Sequence, residues 1–226
     1  MASSVELCNL ALAKIRAKSI NSLNGSSIEA QQCNLHYNLA RDQVLADHDW
    51  GFNTRVIALA QYSSSNIFNW PYMWAYPSDC LHLNYLIRNI TEASEDTSNS
   101  SAVALRFEDD HRQHRPSVDP PVEYDVFFDQ SQGNKVIGTK ESGLRANYRA
   151  QIDDPNVYTT DFKLALSYLL GSMIAVPIVG EERGSKLEVR CLQLYSAFID
   201  KAKTKANNQK HYRQKESEYI RVRRGG

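Results

Sequence analysis

Apolar positions recur at helical spacing near both ends of the chain and at strand spacing in its middle. Val5, Cys8, Leu12 and Ile15 fall on one helical stripe, and Ser3-Ser4-Val5-Glu6 ahead of them reads as a capping box, in which a hydroxyl and a carboxylate satisfy free backbone N–H groups. A turn over Ser19 to Gly25 follows, then a second capping box at Ser26-Ser27-Ile28-Glu29. This predicts a longer helix to about His48, with Ile28, Leu35, Leu39 and Ala46 on its core stripe. The short polar loop makes the pair an antiparallel hairpin.

The middle changes period. Arg55 to Ala60, Leu81 to Arg88, Val122 to Phe128, Lys135 to Thr139 and Gly143 to Gln151 read as strands, punctuated by Gln132-Gly133-Asn134 and Glu141-Ser142-Gly143. Eight of the 22 aromatic residues, including every Trp, fall between Trp50 and Tyr76. Trp70, Tyr72, Trp74 and Tyr76 alternate, which puts all four on one face of an extended segment as a subunit or tail contact. Residues 91–121 are polar, Ser-rich and Pro-rich, the composition of mobile loops.

Helical spacing returns with Phe162, Ala165, Leu166, Leu169 and Met173, and Leu164, Leu170 and Ile174 make that helix apolar nearly all round, hence central. Pro177 and Gly180 are expected to end it. A third capping box, Ser185-Lys186-Leu187-Glu188, opens a stripe of Leu187, Cys191, Leu194, Phe198 and Ala202. The fold expected is α+β: a four-helix body of two hairpins (1–50 and 159–206), an inserted small antiparallel β-sheet (51–158) and an extended basic C-terminal tail (207–226).

Charge sharpens this picture. The chain is formally neutral, with 26 basic and 26 acidic residues. From Lys201 onward nine Lys and Arg face only Glu216 and Glu218, a net +7, so the first 200 residues carry −7. Ser3, Ser4 and Glu6 stand where a secretory signal needs basic and apolar residues, so the expectation is a cytoplasmic protein with reduced, buried Cys8, Cys33, Cys80 and Cys191. Leu164 to Gly180 is uncharged but broken by Ser167, Gly171, Ser172 and Pro177, and a bilayer span needs about 20 apolar residues. It reads as a buried helix, with no membrane partner.

Catalytic signatures are absent: the sequence holds no GxSxG, HExxH, Walker A or GxGxxG motif. Neither cofactor nor metal is expected. Asp109-Asp110-His111 with His114 is the nearest approach to a metal set, and it reads as a solvated loop. The same carboxylates beside the aromatic row suit a glycan-binding or glycan-cleaving component, since glycoside hydrolysis uses two carboxyl groups about 5 to 9.5 Å apart. The basic tail suits nucleic-acid binding through phosphate neutralisation, a solvated end, or docking on an acidic groove. In Glu218 to Arg224, Tyr219, Ile220 and Val222 interleave with Arg221, Arg223 and Arg224, a pattern that fits a strand added to a partner.

Ala11-Leu12-Ala13-Lys14-Ile15 with Ile20-Asn21-Ser22-Leu23, Ala40-Arg41-Asp42, Trp50-Gly51-Phe52-Asn53-Thr54-Arg55, Tyr76-Pro77-Ser78-Asp79-Cys80-Leu81, Tyr148 to Asp154, and Phe162 through Ala175 occur in this order. The order resembles the head-to-tail adaptor of short-tailed bacteriophages, the tail tubular protein A family. That resemblance spans nearly the whole chain and is faintest over Thr91 to Pro121. It implies a non-enzymatic virion protein at the head–tail junction, assembled in the host cytoplasm as a homo-oligomeric ring of twelve subunits. The partners implied are the portal protein, the tail nozzle protein and passing double-stranded DNA. The portal-docking residues implied are Tyr212, Tyr219, Ile220, Arg221, Val222, Arg223 and Arg224.

Overall fold

The computed structural model describes residues 3–62, 70–88 and 122–209. It is a mixed α and β fold with four helices and two small antiparallel sheets. In chain order these are α1 (Ser4–Ile15), α2 (Ile28–Asp47), β1 (Thr54–Ala58), β2 (Tyr72–Ala75), β3 (Cys80–Arg88), β4 (Tyr124–Asp129), β5 (Asn134–Thr139), β6 (Leu144–Ala150), α3 (Thr160–Val179) and α4 (Glu181–Gln209). Contacts divide the chain within α2 into two units: Tyr37–Thr159 with the first four residues, and Val5–His36 with Thr160–Gly226.

In the helical unit, α1 buries Leu7, Cys8, Ala11, Leu12 and Ile15. Its C-terminal turn is closed by Arg16 in the left-handed region (φ 59°) and by Ala17 N–H donating to Leu12 O at 3.0 Å. Asn9 then pins the following loop, donating to Ile20 O at 2.9 Å and accepting from Ile20 N–H at 2.8 Å. The cap of α2 is Ser27, whose Oγ accepts from Ala30 N–H at 3.2 Å. Glu29 therefore sits one position earlier in the first turn than the capping box requires.

The core face of α2 differs from the expected one. Ala30, Cys33, Tyr37, Ala40, Val44 and Leu45 are buried, whereas Ile28, Leu35 and Leu39 are 60%, 68% and 61% exposed. Small residues and a thiol let the helix seat closely, so packing selects the less hydrophobic stripe.

The α3 helix is buried at ten positions from Phe162 to Ala175. Buried Ser167 and Ser172 donate to the Leu164 and Leu169 carbonyls at 2.7 and 2.6 Å. By length and composition it is the single described helix able to cross a membrane, and 56% of that apolar window is buried within the structure. Pro177 lies inside its last turns rather than ending it, and Gly180 (φ +93°) makes the stop. Helix α4 resumes at once, so Ser185 is internal and its Oγ donates to Glu181 O at 2.6 Å instead of capping. At the hairpin a Cβ on Gly184 would lie 2.7 Å from Val176 Cα, so glycine permits the two backbones to touch.

The other unit holds two three-stranded sheets, ordered β1-β6-β3 and β2-β5-β4, where the sequence suggested one. The additional strand is β2, and the Lys140–Gly143 turn carries the chain from the second sheet into the first. Gly133 and Gly143, at φ +69° and +65°, occupy the expected turns. Central β6 is buried on both faces, and Leu59, Trp74, Leu83, Leu86, Val122, Ile137, Leu144 and Tyr148 form one core cluster spanning the two sheets. Paired carboxamides satisfy the polar residue buried there: Asn84 donates to Asn147 at 2.9 Å, and Asn147 donates to Tyr85 Oη at 3.3 Å.

Candidate functional site

Three of the sequence motifs converge on the C-terminal end of α2. A helix end leaves carbonyls without intrahelical donors, and here three successive ones receive side chains. Trp50 Nε1 donates to Val44 O at 2.8 Å, Asn53 Nδ2 to Leu45 O at 2.9 Å, and Arg149 Nη1 to Ala46 O. Asn53 Oδ1 accepts from Trp50 N–H at 3.2 Å, and Asn53 O accepts from Ala150 N–H at 2.7 Å. Gly51 turns the chain at φ +75° so that Trp50 and Asn53 both reach the same helix end. His48 meets the Trp50 ring edge-on at 4.8 Å.

Asp79 extends the clamp. It pairs with Arg55 of β1, accepts from Tyr148 of β6 at 2.9 Å, and its carbonyl accepts from Gln151 N–H at 2.8 Å. Burial first, then that hydrogen bond to Asp79, pushes the Tyr148 phenol up to about 12. Buried Arg41 pairs with Asp42 at 2.8 Å and Asp153 at 2.7 Å, while Tyr158 donates to Ile152 O at 2.6 Å. Arg55 is thus paired with Asp79, and Arg41 with Asp42 and Asp153, whereas Arg149 reaches the helix-end carbonyl and keeps a buried Nε with no hydrogen-bond partner among the described residues. The motifs thus hold a helix end in place.

The aromatic row does not stay on one face. Tyr72 and Trp74 stack at 6.5 Å, but a Cβ on Gly138 would meet Trp70 Cγ at 2.6 Å. Gly138 is register partner to Met73, so Trp70 lies on the opposite face, against Phe127 at 6.5 Å. The chain bends between Trp70 and β2, which breaks the alternation. Trp74 is buried and donates to Thr139 Oγ1 at 2.8 Å. Tyr76 is half-buried, accepts from the Cys80 thiol at 3.2 Å, and packs on the core. Of the four, Tyr72 is the one left exposed.

Asp109, Asp110, His111, His114 and the docking residues Tyr212, Tyr219, Ile220, Arg221, Val222, Arg223 and Arg224 lie outside the described residues. Among the described residues no group of three His, Cys, Asp or Glu is arranged to hold a metal. Cys8, Cys33 and Cys191 are buried free thiols and Cys80 is half-buried. The hydrogen bond with Cys33, then burial, holds the Cys8 thiol protonated.

One feature of the helical unit escapes sequence inspection. Lys14 and Arg16 from the end of α1, with Arg183 and Arg190 of α4, surround a cavity of about 360 Å³ whose apolar wall includes Tyr168, Leu187 and Leu194. Lys14 Nζ also stands 4.6 Å from the Tyr168 ring centroid. The signal available in the sequence is the seven-residue spacing of Arg183 and Arg190 astride Leu187. It becomes legible only when the left-handed turn at Arg16 brings in the second pair.

Apolar side chains remain at the surface of two helices: Ile28, Leu35 and Leu39 on α2, and Val189 and Leu192 on α4. No protein-family model matches this chain, and no curated protein matches it.

Proposed function

We propose that this chain is a ring-forming head-to-tail adaptor of a short-tailed bacteriophage, joining the portal to the tail nozzle and forming part of the DNA passage. The order of motifs along the sequence motivates the reading. The observation that carries it is the exposed apolar line Ile28, Leu35 and Leu39 on a helix whose other face is packed. Residues i, i+7 and i+11 share one helical face, and such a line asks for a partner. A cyclic ring buries two different patches of each subunit. Val189 and Leu192 on α4 are a second apolar patch of the kind required.

In this reading the helices form a four-helix body that builds the ring, the β-rich unit meets the nozzle, and the C-terminal tail docks on the portal. The assembled particle places it at the head–tail junction, after assembly in the host cytoplasm. No catalysis is assigned, because both clusters of paired charges close on themselves. Tail docking orders a segment on binding, trading conformational entropy for contact.

Helix α4 runs to Gln209, so the deletion that tests docking removes residues 210–226 and leaves the helix intact. The truncated protein is expected to keep its circular dichroism spectrum and lose retention on an immobilised portal ring. Retention equal to that of the full chain would refute the docking role.

A further inference from the structure

We propose that the cationic cavity of the helical unit is a docking site for an acidic segment with an apolar anchor, and that the segment is Phe107-Glu108-Asp109-Asp110 of a second copy. The proposal deepens the ring reading and rests on it, by naming two patches of one heterologous contact.

Lys14, Arg16, Arg183 and Arg190 carry four positive charges around one opening, and among the described residues none of them takes part in an ion pair. Like charges gathered without a counterion repel. Lys14 and Arg16 gain some relief from the negative end of α1, but Arg183 lies in the first turn of α4, where the helix dipole disfavours a cation. Arg16, Arg183 and Arg190 are exposed, and Glu181 and Glu182 share the first turn with Arg183, so water and these carboxylates moderate the repulsion. What remains is a local positive potential that an anion would meet.

The shape narrows the anion. A cavity of about 360 Å³ lies at the small end of ligand pockets, which run from about 300 to 1,000 Å³, and duplex DNA is too broad to enter it. A phosphate group gains nothing from Leu187, Leu194 and the Tyr168 ring. A peptide that places an aromatic side chain on that wall and carboxylates under the guanidinium groups uses both halves of the site.

Phe107 followed by three consecutive carboxylates is such a peptide within this chain. The basic tail is excluded as occupant by its charge. A contact between two different patches of identical chains is what closes a ring by rotation, and this selects a second copy.

The test has two arms, both on full-length protein. In the first, a fluorescent peptide of residues 103–112 is titrated with the wild-type chain and with the Lys14→Glu, Arg190→Glu double variant, read by anisotropy. Saturable binding is expected, weakened by about tenfold or more in the variant, since two close charge pairs are removed and each reversal adds repulsion. Phe107→Ala in the peptide should weaken it as well.

In the second arm, the cavity variant is mixed with a Glu108→Lys, Asp109→Lys, Asp110→Lys chain. Sedimentation should detect a hetero-pair that neither variant forms with itself. Absence of saturable peptide binding, binding indifferent to the cavity charges, or equal competition by a duplex oligonucleotide would overturn the proposal. Rescue seen only when both reversals share one chain would overturn the second-copy assignment. Neither arm involves a portal, so a full-length chain that binds the peptide but is not retained on a portal ring would refute the adaptor reading and leave this site standing.

Discussion

Replacing Asn53 by Ala probes the clamp on α2 directly. Asn53 is fully buried, and its carboxamide gives one hydrogen bond to Leu45 O and takes one from Trp50 N–H. The substitution leaves the buried Leu45 carbonyl without that donor, a desolvation loss of about 1–3 kcal/mol. Trp50 is half-buried, so water partly replaces the second bond and the loss there is about 1 kcal/mol. The sum is about 2–4 kcal/mol. For a chain of this size each kcal/mol moves the melting temperature by about 2–4 °C, which gives a fall of about 5–15 °C. Urea unfolding followed by tryptophan fluorescence is the assay, because Trp50, Trp70 and Trp74 all belong to the Tyr37–Thr159 unit. The midpoint should drop with the slope unchanged. Asn53→Asp should be no better than Ala, since it keeps the acceptor but turns a carboxylate toward a carbonyl. A loss under about 0.5 kcal/mol, the range of inert surface changes, or full rescue by Asp, would refute the clamp.

Two further outcomes follow from the same structure. Leu35→Asp with Leu39→Asp should leave unfolding within about 0.5 kcal/mol of wild type, because both side chains are exposed, yet abolish higher-order assembly in sedimentation; unchanged assembly would remove α2 from the ring contact. The Arg88 guanidinium bonds both oxygens of Glu141 at 2.6 Å and, opposed by some burial, holds its carboxyl below the usual 4.5. A depressed folded value means stability present above the usual carboxylate range and lost as pH falls through the folded value, so wild type should lose more stability than Arg88→Gln between neutral pH and pH 3; parallel curves would contradict the pairing.

Periodicity made the helices and five of the six strands legible, because amphipathic stripes and Gly turns act locally. It failed where packing and pattern disagree. On α2 the larger apolar residues Ile28, Leu35 and Leu39 suggested the core, but the helix seats through Ala30, Cys33 and Ala40. Reading Ser185 as a cap failed because a Ser three residues before a Glu fits equally inside a helix. The alternation from Trp70 to Tyr76 predicts a single face because nothing local announces the bend before β2. The clamp was visible as motifs and not as geometry: Trp50, Asn53, Asp79 and Arg149 are up to 99 residues apart in sequence and meet only through the register of β6 with β1 and β3. The cationic cavity was hidden for the same reason, since α1 and α4 contribute its charges from opposite ends of the chain.

Electron microscopy of the full-length protein mixed with the portal ring of a short-tailed phage from the same genome tests the central claim most directly. The account predicts an added ring of this chain, twelve subunits to one portal, coaxial with the channel. Portal rings that remain bare in the presence of excess folded protein would contradict it.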